Sequence, residues 1–168
     1  MNKYMNEKPY VISICGCKNS GKTTLISKLL DKFSKQGYKV ATIKHDGHDF
    51  QSDIIGTDTY KHRQHGAYGT AIFSKNKFMI IKEQKDTNEQ ELINLFPEAD
   101  LIILEGFKNS DYPKYEIVRR ENSNTSICNK NNLIAVLSDM KYIEGIDRII
   151  DLNDIDFIVK DILKQLKI

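Results

Sequence analysis

Residues 16–23 read GCKNSGKT, which fits the pattern G-x4-G-K-S/T of a phosphate-binding loop. Glycines in such a loop let consecutive backbone N–H groups converge on phosphate oxygens, and the helix that follows adds its positive dipole end. The pattern follows an apolar stretch at residues 10–15 and opens a helical stretch at residues 22–36, as this kind of loop requires. Lys22 is expected to be a solvated, mobile charge that reaches the β- and γ-phosphates, and the Thr23 hydroxyl is expected to ligate Mg²⁺. The sequence therefore predicts a P-loop nucleotide-binding protein.

A carboxylate is expected near the metal, because P-loop sites usually place one at the end of a neighbouring strand. Residues 99–104 are almost wholly apolar, as in a central parallel strand, and Glu105 follows them directly. Asp100 begins the same strand and would lie at the opposite edge of the sheet. We therefore predict that Glu105 is catalytic together with Lys22, and that it shares the metal with Thr23.

Ionisable side chains also follow the second predicted strand, residues 38–44. Residues 44–50 read KHDGHDF, and this loop faces the phosphate side of a parallel sheet. Asp46 and Asp49 are predicted to act catalytically, near the Mg²⁺ shell or by positioning water, and Asp46 is also a predicted metal ligand. The histidines of this loop are expected to donate hydrogen bonds to phosphates.

Short apolar runs alternate with helical patterns along the whole chain. Further strands are predicted at residues 68–74, 77–82, 114–119 and 133–137, and further helices at residues 57–65, 87–96 and 153–165. Strands joined by crossover helices predict an α/β, P-loop NTPase-like three-layer fold with a mostly parallel central sheet and a β-hairpin extension at residues 68–82. The length of 168 residues predicts a single nucleotide-binding domain, 1–168. The hairpin offers an exposed edge that two subunits could share.

The composition excludes several classes of partner. The chain has 25 Lys and Arg against 23 Asp and Glu, a net charge of +2 that does not suggest binding to nucleic acid. No apolar run approaches the ~20 residues of a bilayer span, so no membrane contact is predicted. The cysteines Cys15, Cys17 and Cys128 are odd in number and are expected to be the reduced thiols of a cytoplasmic protein.

Taken together, these motifs resemble the family of molybdopterin-guanine dinucleotide biosynthesis adaptor protein B (MobB). The matching segments are GCKNSGKTTL, KHDGHDF, GTDTYKHR, LIILEGFK and KYEIVR, in the family's order over about residues 11–139. The resemblance implies a dimeric GTP-binding accessory protein with weak GTP hydrolysis, which assists when GMP is attached to molybdopterin. It also implies GTP and Mg²⁺ as cofactors, molybdopterin as a further ligand, and the nucleotidyltransferase as the partner. The cofactor-binding residues that it implies are Gly16, Cys17, Lys18, Asn19, Ser20, Gly21, Lys22, Thr23, Thr24, Lys44, His45 and His48.

Recognition of guanine requires acceptors for the base N1–H and its exocyclic amine, and a carboxylate supplies both. Residues 129–132 read NKNN, which imitates the guanine-reading pattern N-K-x-D, but Asn132 replaces the acid and the segment precedes a strand. Asp139 follows the predicted strand at residues 133–137. We therefore predict that Asp139 reads the base.

Two other functions are compatible with a P-loop. A nickel-type metal-delivery GTPase would use the His-x2-His pairs as imidazole ligands, although no cysteine and no His-rich tail accompanies them. A small-molecule kinase would need lid arginines, and the chain's arginines form no recognisable lid pattern. The residues concerned are His45, His48, His62 and His65 for the metal, and Arg63, Arg119, Arg120 and Arg148 for the lid.

Overall fold

The computed structural model describes residues 8–47 and 50–166. The chain divides into two compact units, one formed by Met1–His45 with Glu89–Ile168 and the other by Asp46–Asn88. The single domain expected from the length stays a prediction. His48 and Asp49, both assigned from the sequence, lie outside the described residues.

The larger unit is built on a six-stranded sheet that is parallel throughout. In chain order the elements of the protein are β1 (Tyr10–Gly16), α1 (Lys22–Lys35), β2 (Val40–Lys44), α2 (Asp58–Gln64), β3 (Gly69–Phe73), β4 (Phe78–Lys82), α3 (Glu89–Ile93), β5 (Leu101–Glu105), β6 (Lys114–Val118), β7 (Leu133–Ser138), β8 (Ile149–Asp151) and α4 (Ile155–Leu166). The strand order of the sheet is β2-β5-β1-β6-β7-β8. The predicted α/β class with a parallel central sheet is confirmed.

Both faces of the central strands are buried, which explains their unbroken apolar sequences. Ile12 and Ile14 of β1 belong to one core together with Leu29 of α1. The alternate residue Val11 belongs to a second core on the opposite face, together with Ile93 of α3. The sheet therefore forms the middle of three layers, with α1 and α4 packed on one face.

The strand order reverses at the carboxyl end of β1. This strand pairs with β5 on one side, where Ile14 is opposite Glu105, and with β6 on the other, where Gly16 is opposite Ile117. The chain leaves β1 toward β2 on the β5 side, and it reaches β6 later on the other side. In open α/β sheets, ligands bind where the strand order reverses in this way.

Two of the predicted elements have different bounds for local reasons that the structure shows, and one observed strand has no predicted counterpart. Strand β2 begins at Val40 because the Tyr38 N–H bonds to the Phe33 carbonyl at 3.1 Å and closes the end of α1. Helix α3 has five residues because Leu95 and Phe96 donate to carbonyls three residues back, in a tighter turn. The three-residue strand β8 was not predicted, since it is too short to show a periodic pattern.

The expectation of three reduced thiols is wrong for two of the cysteines. Cys15 and Cys128 form a disulfide, with a Cα–Cα distance of 7.2 Å, and Cys17 has a free thiol. The buried Glu116 carboxylate explains the proximity of the pair, since it accepts N–H bonds from Ile127 at 2.7 Å and from Cys128 at 3.3 Å. These bonds hold the segment containing Cys128 against the sheet, 113 residues away from its partner in the sequence.

The smaller unit contains α2 and the predicted hairpin. Thr57 caps α2 by accepting the Tyr60 N–H at 3.3 Å. Strands β3 and β4 are antiparallel, and Phe73 lies directly opposite Phe78. Among the residues that the structure describes, no helix is long and apolar enough to cross a bilayer.

Candidate nucleotide-binding site

The loop between β1 and α1 has the backbone conformation of a phosphate cradle. Gly16 and Gly21 have φ values of +140° and +94°, which L side chains rarely adopt, and Asn19 has a φ of +62°. A Cβ on Gly16 would lie only 2.6 Å from the Ile117 carbonyl oxygen and 2.9 Å from Ser20 Oγ. Glycine is therefore required at position 16 for the loop to pass this close to β6.

Two polar side chains of the loop are turned inward. Ser20 is 1% exposed, and its Oγ has no hydrogen-bond partner within the described ranges 8–47 and 50–166. Lys22 is half-buried, and its Nζ donates to the carbonyls of Gly16 at 3.1 Å and Cys17 at 2.7 Å, so the ammonium bonds to the loop and is not the freely mobile charge that was expected. A buried hydroxyl and a half-buried ammonium next to a glycine cradle fit an anionic phosphate group. The side chains of Lys18, Asn19, Thr23 and Thr24 are exposed.

The predicted metal ligands Thr23 and Glu105 lie in contact, since Thr23 Oγ1 donates to Glu105 Oε1 at 2.9 Å. Two further bonds fix the end of β5 against β1. The Gly106 N–H donates to the Ile14 carbonyl at 2.9 Å, and Ser13 Oγ donates to the Gly106 carbonyl at 2.7 Å. A hydroxyl and a carboxylate held together beside the phosphate cradle are oxygen ligands of the kind that Mg²⁺ prefers.

The end of β2 brings two more predicted residues beside Glu105. Lys44 pairs in register with Glu105, and the His45 N–H donates to the Glu105 carbonyl at 3.4 Å. The His45 ring packs edge-on against Phe107 with centroids 5.8 Å apart. Asp46 begins the smaller unit, so its predicted part in catalysis and metal binding stays a prediction. In the part of the chain that the structure describes, no three His, Cys, Asp or Glu side chains form a metal-binding group.

A buried lysine supports the loop that follows Glu105, although no feature of the sequence singles it out. Lys114, at the start of β6, is fully buried, and its Nζ donates to the carbonyls of Lys108 at 3.3 Å and of Ser110. Burial lowers the pKa of Lys114, and the negative charges of Asp111 and Glu116 oppose this effect. In the sequence, Lys114 is a lysine within an apolar strand. A lysine on an exposed edge strand would look the same, so the sequence does not reveal that Lys114 is buried.

The predicted base-reading residue, Asp139, follows β7 at the same edge of the sheet. Its Oδ1 accepts the backbone N–H of Arg120 at 3.1 Å. The segment after β6 also contacts the P-loop, where Asn122 Nδ2 donates to the Lys18 carbonyl at 2.9 Å. Asp139 is therefore hydrogen-bonded to the segment after β6, and the same segment contacts the phosphate cradle.

A parallel sheet with a glycine cradle at its switch point and a Thr–Glu pair beside it defines the P-loop NTPase-like class of proteins. Within that class, the family model for MobB, molybdopterin guanine dinucleotide synthesis protein B, matches residues 11–139. The match covers well over half of the chain, and the chain belongs to this family.

Curated relatives and a solved structure agree with that assignment. The chain is 30% identical over 166 residues to the molybdopterin-guanine dinucleotide biosynthesis adapter protein of Escherichia coli (strain K12), covering 92% of this chain and 94% of that one. It is 31% identical over 131 residues to a probable adapter protein of the same name from Bacillus subtilis (strain 168), covering 76% and 75%. The crystal structure of Bacillus subtilis MobB superposes with a TM-score of 0.73 at 25% identity, covering 92% of this chain and 96% of that one.

Proposed function

We propose that this protein binds GTP with Mg²⁺ and assists the attachment of GMP to molybdopterin, which forms molybdopterin guanine dinucleotide. The observation that carries the proposal is the contact of Thr23 with Glu105 beside the glycine cradle. The cradle fits the phosphates, and the Thr–Glu pair fits the metal that accompanies them. The names of the curated relatives support the biosynthetic role.

Each site residue has a distinct part in the proposed binding. Lys22 exchanges its bonds to the Gly16 and Cys17 carbonyls for bonds to phosphate oxygens. Thr23 and Glu105 hold the metal, which neutralises phosphate charge. Lys44 and His45 stand beside Glu105 as further donors to the phosphates.

We propose that hydrolysis of GTP is weak and that binding is the main activity. Glu105 accepts a hydrogen bond from the metal-ligating hydroxyl, so its position suits holding the metal rather than activating a water molecule. The assignment of water positioning to Asp46 and Asp49 rests on the sequence alone. Asp139 is the proposed reader of guanine, because it lies at the end of β7, beside the segment that touches the P-loop.

The proposed assembly is a homodimer that works with the nucleotidyltransferase and binds molybdopterin. The hairpin supports self-association, because its apolar side chains are exposed. Phe73 and Phe78 are 84% and 75% exposed, and Ile72 and Ile80 are 52% and 64% exposed. Burial of such a surface against a second copy is favourable. Because the proposed reaction consumes GTP, we propose a cytoplasmic location.

A reconstituted reaction tests the proposal. Molybdopterin, MgGTP and the nucleotidyltransferase of the same organism are combined with or without this protein, and the dinucleotide formed is quantified at limiting GTP. We expect the wild type to increase the yield and Lys22→Ala to lose this effect. Lys28→Ala, which removes an exposed lysine of α1, is the matched control and should behave as wild type. The proposal is contradicted if the yield of dinucleotide is the same with the wild type, with Lys22→Ala and with the nucleotidyltransferase alone.

A further inference from the structure

The side chain of Arg119 lies against the P-loop, although the sequence assigned it no role. The residue directly follows β6, the strand that pairs with β1 at Gly16. A Cβ on Gly21 would lie 3.5 Å from Arg119 Nη2, 3.6 Å from its Cζ and 3.8 Å from its Nε. The guanidinium therefore lies beside Gly21, next to the position that a side chain there would occupy.

The guanidinium of Arg119 has an unmet hydrogen-bonding requirement. Its Nε is buried and has no acceptor among the residues that the structure describes. A buried donor without an acceptor costs free energy, and a charged one costs more than a neutral one. Ser20 Oγ of the P-loop is also buried and has no hydrogen-bond partner among the described residues. Two buried donors at the cradle therefore require acceptors. A phosphate group supplies several.

The backbone that carries Arg119 is fixed in place. Its carbonyl accepts N–H bonds from Asn122 at 3.0 Å and from Ser123 at 2.9 Å, which form a tight turn. The same turn bonds to the P-loop through Asn122 Nδ2, and to Asp139, the residue after β7, through the Arg120 N–H. The backbone from which the guanidinium extends is therefore fixed next to the cradle before any ligand arrives, and this lowers the entropic cost of binding.

We propose that Arg119 is a phosphate-binding residue of this site and that its guanidinium donates to the phosphate chain beside Gly21. The inference deepens the proposed function and rests on it, because the ligand of the cradle is taken to be GTP. A guanidinium forms charge-assisted bonds to phosphate in a fixed fork geometry, which an ammonium does not reproduce. Arg119 thus supplies a second positive charge to the phosphates in addition to Lys22.

Calorimetric titration with MgGTP and with inorganic triphosphate tests the inference. We expect Arg119→Gln to weaken both ligands by about tenfold or more, which is the effect of one charge-assisted bond. Arg119→Lys keeps the charge and should recover part of the loss. Arg120→Gln removes the adjacent, exposed arginine and should bind both ligands as the wild type does.

Thermal unfolding without ligand separates a binding role from a structural one. Because the Nε is unpaired, Arg119→Gln should unfold at the wild-type temperature or above it. A lower unfolding temperature with unchanged affinity for both ligands overturns the inference. If inorganic triphosphate binds in an Arg119-dependent manner and GTP binds no better, Arg119 is a phosphate contact and the GTP-binding proposal fails. If the wild type binds neither ligand, both proposals fail.

Discussion

The hydroxyl of Thr23 and the carboxylate of Glu105 are joined by a 2.9 Å hydrogen bond, although the residues are 82 positions apart in the sequence. Thr23 lies on the first turn of α1 and Glu105 ends β5. The bond therefore links the phosphate-binding loop to the neighbouring strand. Both groups are oxygen donors of the kind that binds Mg²⁺, and their contact marks where we expect the metal.

Replacing Glu105 tests this metal site. Glu105→Gln keeps an oxygen that accepts the Thr23 hydroxyl, so the fold should be unaffected, but it removes the negative charge that favours a cation. We expect about tenfold weaker GTP binding in Mg²⁺ and unchanged binding in EDTA, measured by calorimetry. Glu98→Gln removes an exposed charge before β5 and is the control. An equal loss with and without metal would show that Glu105 has another role.

Asp139 provides a test of base recognition. Its Oδ1 accepts the Arg120 N–H, so in Asp139→Asn the amide oxygen can keep this bond and the new NH₂ group faces the base. The variant then no longer offers a second oxygen to accept the amine of guanine, whereas its new NH₂ group can donate to the 2-oxo group of xanthine. We expect GTP affinity to fall about tenfold and XTP affinity to rise, by competition binding. A ratio of the two affinities that matches the wild type would place the base elsewhere.

The carboxylate of Asp100 makes stability depend on pH. Its pKa is lowered by the hydrogen bond from Lys8 Nζ at 2.5 Å and then by the Lys39 N–H at 2.8 Å. A depressed folded-state pKa stabilises the fold above the ordinary value of about 4, and the effect is lost as the pH falls through the folded-state pKa.

We therefore expect Asp100→Asn to be less stable than the wild type at pH 7, and the difference to shrink as the pH falls below about 4. Urea unfolding from pH 7 to below about pH 4 measures the free energy of unfolding of both proteins. Glu98→Gln, which loses a charge in the same segment, is the control. A difference that does not change with pH would show that the ionised Asp100 does not contribute.

The hairpin tests the proposed homodimer. Phe73 and Phe78 are opposite each other and largely exposed in a single chain, so replacing both with Ser removes apolar surface without opening a core. We expect the double variant to sediment as a monomer and the wild type as a dimer, at the same concentration. Lys75→Ser with Lys77→Ser, in the same hairpin, should remain dimeric. A wild type that sediments as a monomer contradicts the proposal.

Local patterns made most of the fold predictable, whereas contacts between distant segments were not. The glycine spacing of the P-loop and the apolar strand before Glu105 are continuous in the sequence, and both were identified correctly. The pairing of Cys15 with Cys128 depends on Glu116, which no local pattern connects to either cysteine. Arg119 follows an ordinary apolar strand, and only the pairing of β6 with β1 brings it to the P-loop.

The most direct test of the central claim is calorimetric titration of the purified protein with GTP in the presence of Mg²⁺, for the wild type and Lys22→Ala. Each charge-assisted bond to phosphate contributes about 1.5–3 kcal/mol, so the loss of two such bonds predicts at least about a hundredfold weaker binding in the variant. Lys22→Ala should remain folded, because within residues 8–47 and 50–166 its Nζ donates only to the Gly16 and Cys17 carbonyls. Lys28→Ala should bind GTP as the wild type does. Equal affinities of the wild type and a folded Lys22→Ala would contradict the claim that GTP binds at the P-loop.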